Sequence, residues 1–271
     1  MSKTQRHQNE LQFLFAEFLQ TSHERNLINY LLANSNLPGR RANLELAKAF
    51  TTVIKENWND NSEILWDFLT SLFKITPEDA PTNDPHEFLP FCATWAIGVI
   101  GAALEIHYKD SLIYLKEKSN DSRWRIREAV AKGLHELLIV HSEETIKEIE
   151  TWISKDEWLL MRAVITGIAE PKLLQDMQIS KQGLELHKKV LTYVEECKNR
   201  KSEEFKILKK GLAYSLSVVV QARPEEGFKY LNDLSTSQNN DIIWILKQNL
   251  KKNRLLKNFP SKVKEITKQL S

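Results

Sequence analysis

Apolar side chains recur at helical spacing along nearly the whole chain. Leu11, Leu14, Phe15, Phe18 and Leu19 form one stripe, and Leu27, Ile28, Leu31 and Leu32 a second. Leu44, Ala47, Phe50, Ile54 and Trp58 form a third, and Ile64, Leu65, Phe68, Leu72 and Phe73 a fourth. Steps of three and four residues place such side chains on one side of a helix. Two breakers interrupt the pattern. Asn36-Leu37-Pro38-Gly39-Arg40-Arg41 reads as a loop, and the stretch from Thr76 to Pro85, with three prolines and several acids, is the best place for an internal seam. Helices resume around His86.

From residue 109 the pattern becomes a repeat. Trp124-Arg-Ile-Arg-Glu-Ala-Val-Ala-Lys-Gly-Leu134 and Trp158-Leu-Leu-Met-Arg-Ala-Val-Ile-Thr-Gly-Ile168 share the Trp, the Ala-Val pair and the Gly after 34 residues. A polar turn precedes each, Asn120-Asp121-Ser122 and Ser154-Lys155-Asp156. Weaker copies follow at Phe205–Leu216, after Ser202-Glu203-Glu204, and at Ile242–Leu255, after Asn239-Asn240-Asp241. Shorter amphipathic helices are expected ahead of them, at about 109–118, 142–154, 182–198 and 224–235. The unit is short helix, polar turn, longer helix. Ser, Asp or Asn in the turn can accept hydrogen bonds from the free N–H groups of the next helix. One pair cannot cover its own apolar face, so neighbouring pairs must stack.

The acidic turn followed by Trp124, Arg127, Ala129 and Leu134 resembles the second helix of a HEAT repeat. A wider series, Leu37–Ala47, Asp84–Cys92, Asp121–Val130, Ala169–Leu174 and Trp244–Leu255, resembles an uncharacterised family of bacterial HEAT-like repeat proteins, from about residue 35 to 257. The resemblance implies an all-α protein, an α-α superhelix of armadillo type, and implies no activity. The expected layout is a single HEAT-like solenoid over 1–271. Divergent helices fill 1–75, the repeat array runs over 86–258, and a capping helix closes 259–271. A more distant likeness joins Glu157–Ala163 and Glu203–Lys210 to HEAT-like DNA alkylation-repair glycosylases. Those enzymes carry an aromatic-and-aspartate cluster in their groove. Asn57-Trp58-Asn59-Asp60 is the nearest match here and lies too early in the chain.

Composition narrows the class. With 42% hydrophobic and 27% charged residues the chain is globular, and 8 Gly and 8 Pro are too few for the turns of a β-rich fold. Cys92 and Cys197, far apart, suggest small apolar side chains in a reducing cytoplasm rather than disulfides or a zinc site. Phe88–Leu104 is uncharged for 17 residues but contains Pro90, and reads as a buried helix rather than a membrane span. There Gly98 and Gly101 would let a neighbouring helix come close. The net charge of +2 hides an asymmetry. Residues 1–197 hold 22 Lys/Arg and 29 Asp/Glu, net −7, whereas residues 198–271 hold 16 and 7, net +9.

Catalytic signatures are missing. His135 and His141 stand six residues apart, about 240° around a helix, and cannot share an ion. There is no nucleophile elbow and no phosphate loop, so no metal and no cofactor is expected. An unfamiliar enzyme site around Asp84, His86 and Glu87 stays open.

Two binding candidates remain. One is Arg123, Trp124, Arg125 and Arg127, with Trp158 and Arg162 one repeat on. It is a guanidinium and indole surface suited to phosphate or to an acidic peptide. Alternate arginines cannot share one helix face, so some should serve structure, Arg127 first. Trp124 and Trp158 should pack between successive units, or else form an aromatic platform. The other candidate is the basic end: Lys206, Lys209 and Lys210, then Trp244, Lys247, Lys251 and Arg254, two ridges able to follow a nucleic-acid backbone. The loop at Arg40 and Arg41 is a further anion candidate. The leading expectation is a cytoplasmic, non-enzymatic scaffold holding a protein or peptide on its concave face. The alternative is a nucleic-acid-binding protein related to the alkylation-repair glycosylases.

Overall fold

The computed structural model describes residues 2–270, and among them every regular element is helical. The chain divides into two compact units, residues 1–140 and 141–271. The first holds α1 (Lys3–Thr21), α2 (Arg25–Ala33), α3 (Leu44–Glu56), α4 (Trp58–Phe73), α5 (Phe88–Ala103), α6 (Glu105–Lys118) and α7 (Trp124–Val140). The second holds α8 (Ser142–Thr151), α9 (Trp158–Ile168), α10 (Met177–Glu196), α11 (Glu203–Ala222), α12 (Pro224–Leu234), α13 (Asn240–Leu250), α14 (Asn253–Leu256) and α15 (Pro260–Gln269).

Within the first unit α1, α3, α5 and α7 pack side by side as one row, and α4 and α6 lie against α5. In the second unit α9, α11 and α13 form a row, backed by α10 and α12. Each unit is thus a stack of antiparallel helix pairs, the repeat architecture of an all-α solenoid. The first core is built around Phe15, Phe50 and Phe68, with Phe15 5.6 Å from Phe50 and 6.3 Å from Phe68 between ring centroids. The apolar run from Phe88 becomes α5, and Pro85–Ala103, which adds the short helical turn before it, is long and apolar enough to cross a membrane, yet 83% of its most apolar stretch is buried among its neighbours. Its closest neighbour is α7. A Cβ built on Gly98 would lie 2.3 Å from the Gly133 Cα, so the two backbones touch where both residues lack side chains. Ser111 of α6 comes as near to Gly101 and donates from Oγ to the Ile97 carbonyl.

Local chemistry sets the helix starts. Ser202 Oγ accepts from the Phe205 N–H, Asn239 Oδ1 from Asp241, and Asp121 Oδ1 from Arg123. The turn before α9 has no such side-chain cap, and Asp156 there adopts a left-handed φ of 66°. Three expectations about element bounds need correction. Trp58 opens α4 rather than closing α3, because the chain turns at Asn57, whose amide donates to the Val53 carbonyl. The helix expected from 182 starts at Met177, where Asp176 caps both Gln178 and Ile179. At 20 residues it is longer than the 11-residue α9, so the short–long alternation does not hold there. The last repeat helix stops at Leu250, and α14 begins anew at Asn253.

The proline-rich stretch from Thr76 to Pro85 lies inside the first unit and is held firmly. Arg123, 1% exposed, donates to the carbonyls of Ile75, Thr76 and Ala80 and forms a fork to Asp121, 2.9 Å from Nε and 2.7 Å from Nη2. Asp121 therefore caps α7 and fixes the arginine that clamps this loop.

Candidate ligand-binding site

The first turns of α3, α5 and α7 meet at one edge of the first unit. Leu44, Phe91 and Trp124 mark those turns, and together with Arg40, Arg41, Ala42, Arg125, Glu128 and Lys132 they line a cavity of about 280 Å³. Two candidates that lie more than 80 residues apart in the sequence, the Arg40–Arg41 loop and the Trp124–Arg125 pair, share this cavity. Its floor is the indole of Trp124, 43% exposed, with the Arg125 guanidinium 4.4 Å from the ring centroid. Arg40 and Arg41 are exposed at the mouth. Lys132 stands two turns along α7, its Nζ 5.7 Å from the Trp95 ring.

A buried polar cluster holds the loop in place. Arg125, 3% exposed, donates from Nη1 to Glu87 Oε2 at 2.9 Å and from Nη2 to the Gly39 carbonyl and to Asn83 Oδ1. Asn83 Oδ1 also accepts from the Gly39 N–H at 2.9 Å, and the Asn83 N–H donates to Glu87 Oε2 at 2.7 Å. Both asparagines that shape the approach, Asn36 (φ 63°) and Asn83 (φ 76°), sit in the left-handed region that Asn tolerates. A side chain at Gly39 would put its Cβ 2.3 Å from the Asn36 carbonyl oxygen. The arginine-bearing loop is therefore tied at its centre to α7 and to the start of α5.

The electrostatics favour an anion. Four cations face one carboxylate, Glu128, and Arg125 is itself balanced by Glu87, which leaves Arg40, Arg41 and Lys132 against Glu128, a surplus of two positive charges. Three helix starts add positive potential at the same edge. Leu44, Phe91 and Trp124 supply the apolar wall.

Several expected site residues do not reach the surface. Arg123 is spent on the Ile75–Ala80 loop, Arg127 (5% exposed) donates to the Asp121 and Ser122 carbonyls, and Arg162 is 8% exposed. Trp158, 6% exposed, packs edge-on against Phe205 at 5.3 Å, so it belongs to the core, whereas Trp124 at the matching repeat position is open. Of the open enzyme candidate, Asp84 caps His86 through its N–H and meets Nδ1 at 2.9 Å, but Glu87 turns inward to Arg125. The backbone N–H of His86 holds the Asp84 carboxyl below its ordinary pKa. Among the described residues no group of three His, Cys, Asp or Glu could hold a metal ion.

The basic end is split between two tasks. Lys206 pairs with Glu203 at 2.7 Å, and Lys209 pairs with Asp241 at 2.8 Å while lying 4.8 Å over the Trp244 ring. Arg254 donates to the Tyr214 hydroxyl at 2.7 Å and covers its ring. Lys210 is exposed, and Lys247 and Lys251 line an apolar hollow against α15. Sequence reasoning missed Phe91, Leu44, Glu128 and Lys132. Trp124, Glu128 and Lys132 follow i, i+4, i+8 spacing, and that shared face was readable.

No protein-family model matches the chain, and no curated protein matches it. Among solved structures, a designed armadillo repeat protein is similar over 82% of this chain and 98% of its own, at 14% identity and a TM-score of 0.28.

Proposed function

We propose that this chain is a non-enzymatic binding scaffold whose cavity beside Trp124 receives a protein segment pairing an acidic with an apolar side chain. The observation that carries the reading is the convergence of Arg40, Arg41 and Lys132 on an exposed indole inside one hollow. A guanidinium pair favours a carboxylate, and the indole with Phe91 and Leu44 favours the apolar neighbour. The free, buried thiols of Cys92 and Cys197 support a reducing, cytoplasmic setting.

The test is fluorescence anisotropy with labelled short peptides that carry Asp or Glu next to Leu, Phe or Trp. Arg40→Ala/Arg41→Ala and Trp124→Ala should each weaken binding by about tenfold or more, near 1.4 kcal/mol. Equal binding of acidic and lysine-substituted peptides sinks the proposal.

A second reading, a nucleic-acid surface, is favoured by the interleaving of exposed Tyr214 and Trp244 with Lys209, Lys210, Lys252 and Arg254. Binding of a single-stranded oligonucleotide that falls steeply as salt rises would support it, and no binding at low salt removes it.

A further inference from the structure

A second surface lies in the other unit and shares no residue with the cavity beside Trp124. Two hollows of about 370 and 310 Å³ run along α15 and share Leu256, Val263 and Thr267, so they form one groove. Leu250, Leu270 and Pro260 extend its apolar lining, and Leu256 is 42% exposed. Lys247 and Lys251 border it from the α13 side, and Lys264 and Lys268 from α15. Among the described residues none of these four lysines has an acidic partner, and no acid lines the groove. By contrast Lys262, on the same helix, is bonded to Glu225 at 2.8 Å.

The geometry points to this groove as the docking site for an acidic amphipathic helix of another protein. The lining is aliphatic and contains no aromatic ring, so it offers nothing for a base to stack on. It is also a hollow, which fits the ridge of a helix rather than a flat surface. The lysines fall at i and i+4 on each border, the spacing at which an incoming helix presents its own i and i+4 side chains. Helix α15 has 10 residues, about 15 Å of groove, which matches about three turns of an occupant. The partner helix should carry apolar residues at i, i+3 or i+4, and i+7, with Asp or Glu on both flanks.

The test uses the full chain and a dye-labelled, acetylated and amidated helical peptide with leucines at i, i+3 and i+7 and glutamates on both flanks. Saturable binding is expected, with a shuffled peptide and a lysine-flanked peptide each weaker by about tenfold or more. Leu256→Glu and Lys264→Glu/Lys268→Glu alter exposed positions and should each weaken binding similarly. The double variant should also regain affinity for the lysine-flanked peptide, a rescue that misfolding could not produce. The inference is overturned if shuffled and designed peptides bind alike or if the variants bind as the parent does. It is equally overturned if anionic vesicles bind where the peptide does not, or if sedimentation shows a dimer that Leu256→Glu dissociates.

Discussion

Replacing Gly98 by Ala adds one methyl at the tightest crossing in the first unit. The new Cβ would lie 2.3 Å from the Gly133 Cα and 2.8 Å from its carbonyl carbon and oxygen. Carbon atoms rest at roughly 3.5–4.0 Å, so α5 must retreat from α7 by about 1 Å. Backbone cannot swing aside as a side chain can. Ile97 and Ile100 on α5 and Val130, Leu134 and Leu137 on α7 are 0% exposed, so the retreat strips contacts along the whole interface. Over-packing of this kind costs about 1–3 kcal/mol, and a site closed on all sides belongs at the upper end. Ala gains about 1 kcal/mol of helix propensity over Gly, which leaves a net loss of about 2 kcal/mol. Gly211 is the control: its nearest atoms are Ile165 Cδ1 at 3.3 Å and Arg162 Cγ at 3.4 Å, both able to shift. Gly211→Ala should be neutral or slightly stabilising. Urea unfolding followed by far-UV circular dichroism measures both, and with m near 2 kcal/mol/M the Gly98→Ala midpoint should fall by about 1 M. Hydrogen exchange should place the loss in residues 1–140. The reasoning is refuted if Gly98→Ala unfolds at or above the parent midpoint, or if Gly211→Ala loses as much.

His187 supplies a pH prediction. It is fully buried, Nδ1–H donates to the Gly183 carbonyl at 2.7 Å, and Nε2 faces the Ser215 hydroxyl at 2.9 Å. Burial lowers its pKa from 6.5 to about 4. The unfolded chain takes up the proton first, so this contribution is complete above pH 6.5 and is lost as pH falls towards 4, about 3 kcal/mol in all. His187→Gln should flatten the fall in stability between pH 6.5 and 4, and unchanged slopes would refute the assignment. The buried pair supplies another prediction. Glu87→Gln leaves the Arg125 guanidinium without a counter-charge and should cost about 3 kcal/mol, read as a lowered Tm. Glu87→Gln/Arg125→Met should recover part of that loss, and strict additivity of the two changes would argue against coupling.

The helix pattern was largely legible because each stripe depends only on spacing within its own helix. The close approach at Gly98 was legible too, since a glycine inside an apolar helix has few other uses. Exposure was not. Trp124 and Trp158 open equivalent repeat helices with the same flanking pattern, yet Phe205 covers Trp158 while Trp124 borders a cavity. Phe205, which covers Trp158, lies 47 residues away, and Leu44, which shares the cavity with Trp124, lies 80 residues away, and spacing carries no record of either. The three alternating arginines divide for the same reason. Their spacing already denied all three one helix face and pointed Arg127 to a structural role, but not their partners: Arg123 meets the Ile75–Ala80 carbonyls, Arg125 meets Glu87 and Gly39, and Arg127 returns to its own turn. The Arg40–Arg41 loop is joined to the Trp124 helix by the bond from Arg125 to the Gly39 carbonyl and by Asn83 and Glu87, residues that a linear reading assigned to a breaker or to chemistry.

The anchoring of Gly39 also bears on how tightly the cavity can grip. The loop's freedom is surrendered when the unit folds, so an incoming acid finds Arg40 and Arg41 already gathered and little ordering is left for the binding step. Salt should then act mainly on how fast a ligand arrives, and the fit of the indole wall on how long it stays. Loosening Gly39 or Asn83, neither of which lines the cavity, should lower affinity as surely as removing an arginine, so the effective boundary of this site lies one layer of residues behind its walls.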